Sequence, residues 1–159
     1  MSKLELRHAG AFGAIARFED IHLVNFRARI DAGVVDLAVR DFEALAADHN
    51  DRRLGTILVV EANIPLPEPD IRLVTAGQLS RVQRHSPYRA AVILGDGFWL
   101  SAARSVLTAI QLATMRTAPI YTSESIPGAA TWVCDRTGRP KTDLPKILGA
   151  VDELRLAGR

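Results

Sequence analysis

Apolar residues in this chain follow two rhythms, short β-branched runs and longer stretches at helical spacing, and the two alternate. Residues 11–18 are small and apolar; residues 21–28 alternate, with Leu23 and Asn25 on one face and His22, Val24 and Phe26 on the other. Glu19 and Asp20 between them suit a hairpin turn, so the pattern predicts two paired strands. From Asp31 to His49 the period becomes helical, with Val35, Ala38, Val39, Phe42, Leu45 and Ala46 on one face. Asp31 can accept hydrogen bonds from the free N–H groups of that helix's first turn. Asp36 and Arg40, four residues apart, can pair on its surface.

Residues 55–61, Gly-Thr-Ile-Leu-Val-Val-Glu, form a run without alternation, as expected of a central strand covered on both faces. Pro65, Pro67 and Pro69 then enforce extended backbone. A second helix is predicted from about Asp70 to His85, with Ile71, Val74 and Val82 on one side but Leu73 and Leu79 off it. Its Gly77 costs roughly 1 kcal/mol of helix stability. Residues 89–116 follow as a buried strand, a turn at Gly95, Asp96 and Gly97, and an apolar helix whose body carries a single charge, Arg104. Residues 119–123 make a short last strand, and Ser125 can cap a helix with Ala129, Trp132 and Val133 on its core side. The polar stretch that follows reads as a linker. Asp143 is placed to cap a final helix with Leu144, Ile147, Leu148, Val151 and Leu154 on one stripe, and Pro145 falls harmlessly in its first turn.

The predicted order is β-β-α-β-α-β-α-β-α with an additional terminal helix. This is an α/β chain with a mixed sheet of about five strands: an opening hairpin, then parallel strands joined by right-handed helical crossovers. The domain plan is an α/β domain over 1–135, a linker over 136–143 and an amphipathic helix over 144–159.

Composition narrows this picture. At 159 residues, 48% hydrophobic and 24% charged, the chain has the make-up of a single soluble globular domain. Its apolar runs are too short to span a membrane. No export signal is visible at the N-terminus. A single cysteine, Cys134, excludes an intrachain disulfide and agrees with a reducing cytoplasm. The net charge of +2 comes from scattered basic residues rather than a basic face interleaved with aromatics, which argues against nucleic-acid binding.

Candidate chemistry is sparse. In open α/β sheets, ligands sit beyond the carboxyl ends of the parallel strands. There Glu61 and Asn63 follow one strand, and Gly95, Asp96 and Gly97 follow the next; together they define a candidate ligand crevice, with Glu61 and Asp96 as a possible carboxylate pair. The glycine turn lacks the longer glycine run and the lysine of a phosphate loop. His8, His22, His49 and His85 lie in different elements without metal-ligand spacing. Beside Asp135, Cys134 has no setting that would lower its pKa. Neither a catalytic constellation nor a cofactor or metal motif emerges. What remains is apolar surface to be covered: Leu112 and Met115 interrupt the polar half of the third helix, and Leu144, Ile147, Leu148 and Val151 stripe the last. These six are candidate interface residues, for a second copy of the chain or for the chain's own domain.

Four segments together resemble the STAS-like proteins, which share the fold of bacterial anti-sigma-factor antagonists. They are Ala-Ala-Val-Ile-Leu-Gly-Asp-Gly-Phe at 90–98, Ala-Ala-Arg-Ser-Val-Leu-Thr-Ala at 102–109, Pro-Ile-Tyr-Thr-Ser at 119–123 and Ala-Ala-Thr-Trp-Val at 129–133. The resemblance extends over residues 11–135 and implies a bacterial, cytoplasmic, non-enzymatic regulatory or protein-interaction module. With the surplus apolar helix surface, it leads to the expectation of a protein partner and a homodimer. Signalling antagonists of this type carry a phosphorylated Ser or Thr at the start of the helix after the central strand. Here residues 63–70, Asn-Ile-Pro-Leu-Pro-Glu-Pro-Asp, hold no hydroxyl, so the phosphate switch is missing. The alternative is a binding protein or enzyme for a small anionic or lipid ligand, since lipid-binding proteins share the same general fold.

Overall fold

A computed structural model of the chain describes residues 3–49, 54–82, 88–114 and 120–159. The elements run β1 (Glu5–Ala9), β2 (Gly13–Phe18), β3 (Ile21–Phe26), α1 (Ala32–His49), β4 (Gly55–Val60), α2 (Pro69–Val82), β5 (Tyr88–Ile93), α3 (Gly97–Thr114), β6 (Tyr121–Ser123), α4 (Ile126–Thr137), a 3-10 turn (Lys141–Asp143) and α5 (Leu144–Leu156). The strands form one six-stranded mixed sheet in sequence order. β1, β2 and β3 pair antiparallel, and β3 to β6 pair parallel. The α/β class and the hairpin-then-parallel plan are those expected from the sequence, with one strand more. β1 is an edge strand whose residues are mostly exposed. It has no apolar face for a periodicity argument to detect.

Because the parallel strands follow in sequence order, right-handed crossovers bring α1, α2 and α3 to the same side of the sheet. These three helices pack in a row, α2 between α1 and α3. On the opposite side, α4 covers β4 and β5, and α5 covers β2 and β3 while packing on α4. Each side has its own apolar core. One joins Phe18, Leu23, Ile57, Val92 and Val133 with Ile147, Val151 and Leu154 of α5. The other joins Ile15, Val24 and Phe26 with Val35, Val39, Phe42 and Leu45 of α1.

Local sequence explains the starts of α1 and α4. Asp31 Oδ2 accepts from Val34 N at 3.2 Å, and Ser125 Oγ accepts from Gly128 N at 3.1 Å, as a capping residue should. Asp36 and Arg40 pair at 2.9 Å. Asp143 differs from expectation: its side chain caps nothing and instead accepts from Arg139 Nη1 at 3.0 Å. The expected linker is largely built into the fold. α4 extends to Thr137, Gly138 closes it in the left-handed region at φ 75°, and Arg139 is tied to Glu19, Asp20 and Asp143. No described helix is long and apolar enough to cross a membrane.

Candidate functional site

The crevice expected at the strand ends is occupied by structural contacts. Glu61 leaves β4 on the α5 side, and its carboxylate accepts from Arg155 Nε and Nη2 at 3.1 Å each and from Arg159 Nη2 at 2.6 Å. It fastens the end of α5 to the sheet. Asn63 turns the chain at φ 61°, and Gly95 does so at φ 119°, where an added Cβ would lie 3.0 Å from the Trp99 ring. Asp96 and Gly97 are exposed at the start of α3. The strand ends do bring these residues to one edge, yet the residue with the strongest ligand chemistry, Glu61, is spent on the fold.

The six candidate interface residues separate. Ile147 and Val151 are fully buried in the chain's own core, and Leu144 and Leu148 pack against that core as partly buried side chains. Their stripe is therefore covered by this domain. Leu112 points away from the sheet and is 73% exposed. Met115 lies outside the described residues, as does His85, where the second helix was expected to end.

A cavity of about 140 Å³ lies on the other side of the sheet, beneath the α1–α2–α3 layer. Its floor comes from alternate residues of three neighbouring strands. In register across β3, β4 and β5 lie His22, Thr56 and Arg89, then Val24, Leu58 and Ala91, then Phe26, Val60 and Ile93. The walls and roof include Val39 of α1, Thr75 and Leu79 of α2, and Ala103 and Val106 of α3. At the carboxyl ends of the strands, Trp99 donates Nε1–H to the Ile64 carbonyl at 2.8 Å, and both residues line the cavity. The origin of the space is visible in the sequence: Ala38, Ala91 and Ala103 are small where helix and sheet face each other. The same space explains the strict alternation of burial along β4. Ile57 and Val59, facing α4, are sealed, whereas Thr56, Leu58 and Val60 are only partly covered.

Polar groups gather at the amino-terminal end of this floor. Arg17 and His22 are opposite each other in the β2–β3 ladder and both reach Asp41 of α1. Arg17 Nη2 donates to Asp41 Oδ1 at 2.7 Å, and His22 Nε2 lies 3.0 Å from Oδ2. An ionised carboxylate only accepts, so Nε2 carries the proton. Burial by itself would raise the Asp41 pKa; the hydrogen bonds from His22 and Arg17 outweigh it and hold the carboxyl far below the carboxylate range. Burial dominates at His22 and lowers its pKa, so the ring is kept neutral. Burial also pushes the Arg89 guanidinium down to about 10. The Oγ1 atoms of Thr56 and Thr75 are buried without a hydrogen-bond partner among the described residues.

Among the described residues, no Ser, Cys, Asp or Glu lines the cavity. Cys134 is on the other side of the sheet, and burial, aided by Asp143 and Asp135 against Arg139, pushes its thiol up. Among the described residues no group of three His, Cys, Asp or Glu is placed to hold a metal ion. Sequence reasoning missed Arg17, Asp41, Thr56, Thr75 and Arg89. The available signal was a polar residue at the start of each of three apolar strands, His22, Thr56 and Arg89, but only the register shows that they align. Comparison with protein-family models, curated proteins and solved structures gives no match.

Proposed function

We propose that this protein is a non-enzymatic module that binds a small apolar molecule between its sheet and its α1–α2–α3 layer. The observation that carries this is the cavity of about 140 Å³, lined almost wholly by aliphatic and aromatic side chains. A dry cavity of about 150 Å³ lined by Leu, Ile and Phe binds benzene, so a body of roughly one aromatic ring fits the space. The ligand alternative raised by the sequence is retained, with its site moved from the strand-end crevice to the space under α2. Toluene is the direct probe. At a toluene concentration about a hundred times its dissociation constant, stabilisation by mass action reaches about 2.7 kcal/mol. Thermal melting of the wild type rises with toluene, whereas Ala103→Leu, which fills the space from α3, melts at a temperature that toluene does not change. A wild-type melting temperature indifferent to toluene up to saturation overturns the proposal.

A STAS-like interaction role, bacterial and cytoplasmic, with a protein partner or a homodimer and no phosphate switch, is the second reading. One observation favours it: Leu73 and Val74 of α2 and Phe98 and Leu112 of α3 are exposed apolar side chains on the helical layer. The two roles are compatible, because a ligand held beneath α2 would bear on the helices that present this surface.

A further inference from the structure

Two threonine hydroxyls at the cavity have no role in the fold's own hydrogen bonding. Thr56 of β4 and Thr75 of α2 both line the space, and the Oγ1 atom of each is buried without a partner among the described residues. Other helical threonines of this protein return their hydroxyls to the backbone four residues earlier. Thr108 donates to the Arg104 carbonyl at 3.0 Å, Thr131 to that of Pro127 at 2.9 Å and Thr137 to that of Val133 at 2.7 Å. Thr75 is 7% exposed and makes no such bond to Ile71. Buried polar groups are ordinarily paired, so each of these two calls for a partner. The charged neighbours on the floor are already engaged. His22, beside Thr56 in the sheet register, lies 3.0 Å from Asp41 through Nε2, and Arg89, on the other side of Thr56, has an interaction of its own in the fold.

Resting on the apolar-ligand reading above, we infer that the ligand is a small neutral alcohol or phenol, its hydrocarbon body under α2 and its hydroxyl bonded to Thr75 and Thr56. A hydroxyl both donates and accepts, as a threonine hydroxyl does, so one ligand oxygen can serve both side chains. In a helix threonine divides between two χ1 rotamers, and a turn about that bond exchanges its methyl for its hydroxyl. The head brings no charge into a space whose remaining lining is almost wholly hydrocarbon, and so avoids the large cost of desolvating an ion. A single hydroxyl also adds little to a ring, in keeping with a cavity of about 140 Å³.

Phenol and toluene separate the two inferences, because they match in size and differ in one hydroxyl. Each is titrated, by calorimetry or NMR, into the wild type and into Thr56→Val/Thr75→Val, which keeps the side-chain shapes and removes both hydroxyls. The variant is expected to lose about tenfold in phenol affinity while toluene binding is kept. Should the double variant fail to fold, the wild type alone decides. In a site of hydrocarbon only, the unpaired phenol hydroxyl weakens binding at least about tenfold relative to toluene. Phenol affinity within tenfold of that of toluene therefore supports the inference, and weaker phenol binding overturns it. A ratio of the two affinities that the valines leave unchanged also overturns the hydroxyl inference and leaves the apolar site standing. Absence of binding by both ligands overturns both.

Discussion

Asp41 takes hydrogen bonds from Arg7, Arg17 and His22, and its side chain is only 10% exposed. Replacing it with Asn leaves the buried Arg17 only the exposed Asp48 carboxylate at 3.5 Å, so Asp41→Asn is expected to cost roughly 2–4 kcal/mol in urea unfolding. A loss below about 1 kcal/mol would show that the cluster is solvated. The same residues predict acid sensitivity. Burial holds the His22 pKa below its ordinary 6.5, so below that pH the unfolded chain takes up a proton that the folded chain refuses. Stability is therefore full above about pH 6.5 and declines as pH falls. Asp41 adds a second loss below its ordinary 3.8, because its folded pKa is depressed. Urea midpoints measured from pH 8 to pH 3 test the sign, and His22→Gln should flatten the stretch between pH 7 and pH 5. None of this was legible at the residue level. Arg17, His22 and Asp41 look like ordinary polar positions until the β2–β3 pairing and the α1 packing bring them together.

At the scale of elements, most boundaries were legible because local chemistry sets them. Asp31 and Ser125 cap their helices through their own side chains, and α1 shows its buried face in its period. α2 was harder to assign, and the structure shows why. It packs chiefly between two other helices, and the cavity lies beneath it, so only Thr75, Ala76 and Val82 are buried while Leu73 and Val74 face outward. Val74, expected on the core side, is exposed for that reason. The other layer is tight. An added Cβ at Gly55 would lie 2.5 Å from Val133 Cγ1, where α4 crosses the start of β4. Gly55→Ala is thus expected to destabilise by about 1–3 kcal/mol, through overpacking of a core that has no free volume there. Ala91→Val on the cavity side of the neighbouring strand should cost less or be stabilising, and paired thermal melts of the two variants measure this asymmetry between the faces.

At the scale of the whole molecule, the two faces of the sheet divide the work: α4 and α5 seal one core, and the α1–α2–α3 layer closes over a cavity on the other. The apolar stripe of α5 is consumed inside the chain, anchored by Glu61 to Arg155 and Arg159 and by Arg27, whose Nη2 donates to the Leu154 carbonyl at 3.1 Å. For the proposed homodimer, the apolar side chains exposed on α2 and α3, Leu73, Val74, Phe98 and Leu112, are the surface to test. Light scattering at tens of micromolar distinguishes the outcomes: a dimer that Leu112→Asp dissociates supports self-association through that surface, and a clean wild-type monomer excludes it. By itself, the sequence determined the elements from β2 onward and the mixed α/β plan, but not the edge strand β1. These follow from periodicity and local hydrogen bonding, which act over a few residues. Only the tertiary structure decided where the last helix docks, that Glu61 belongs to the fold, and that His22, Thr56 and Arg89 share one row of a cavity floor. Those outcomes depend on strand register and on which helix covers which face, and both arise from contacts between residues far apart along the chain.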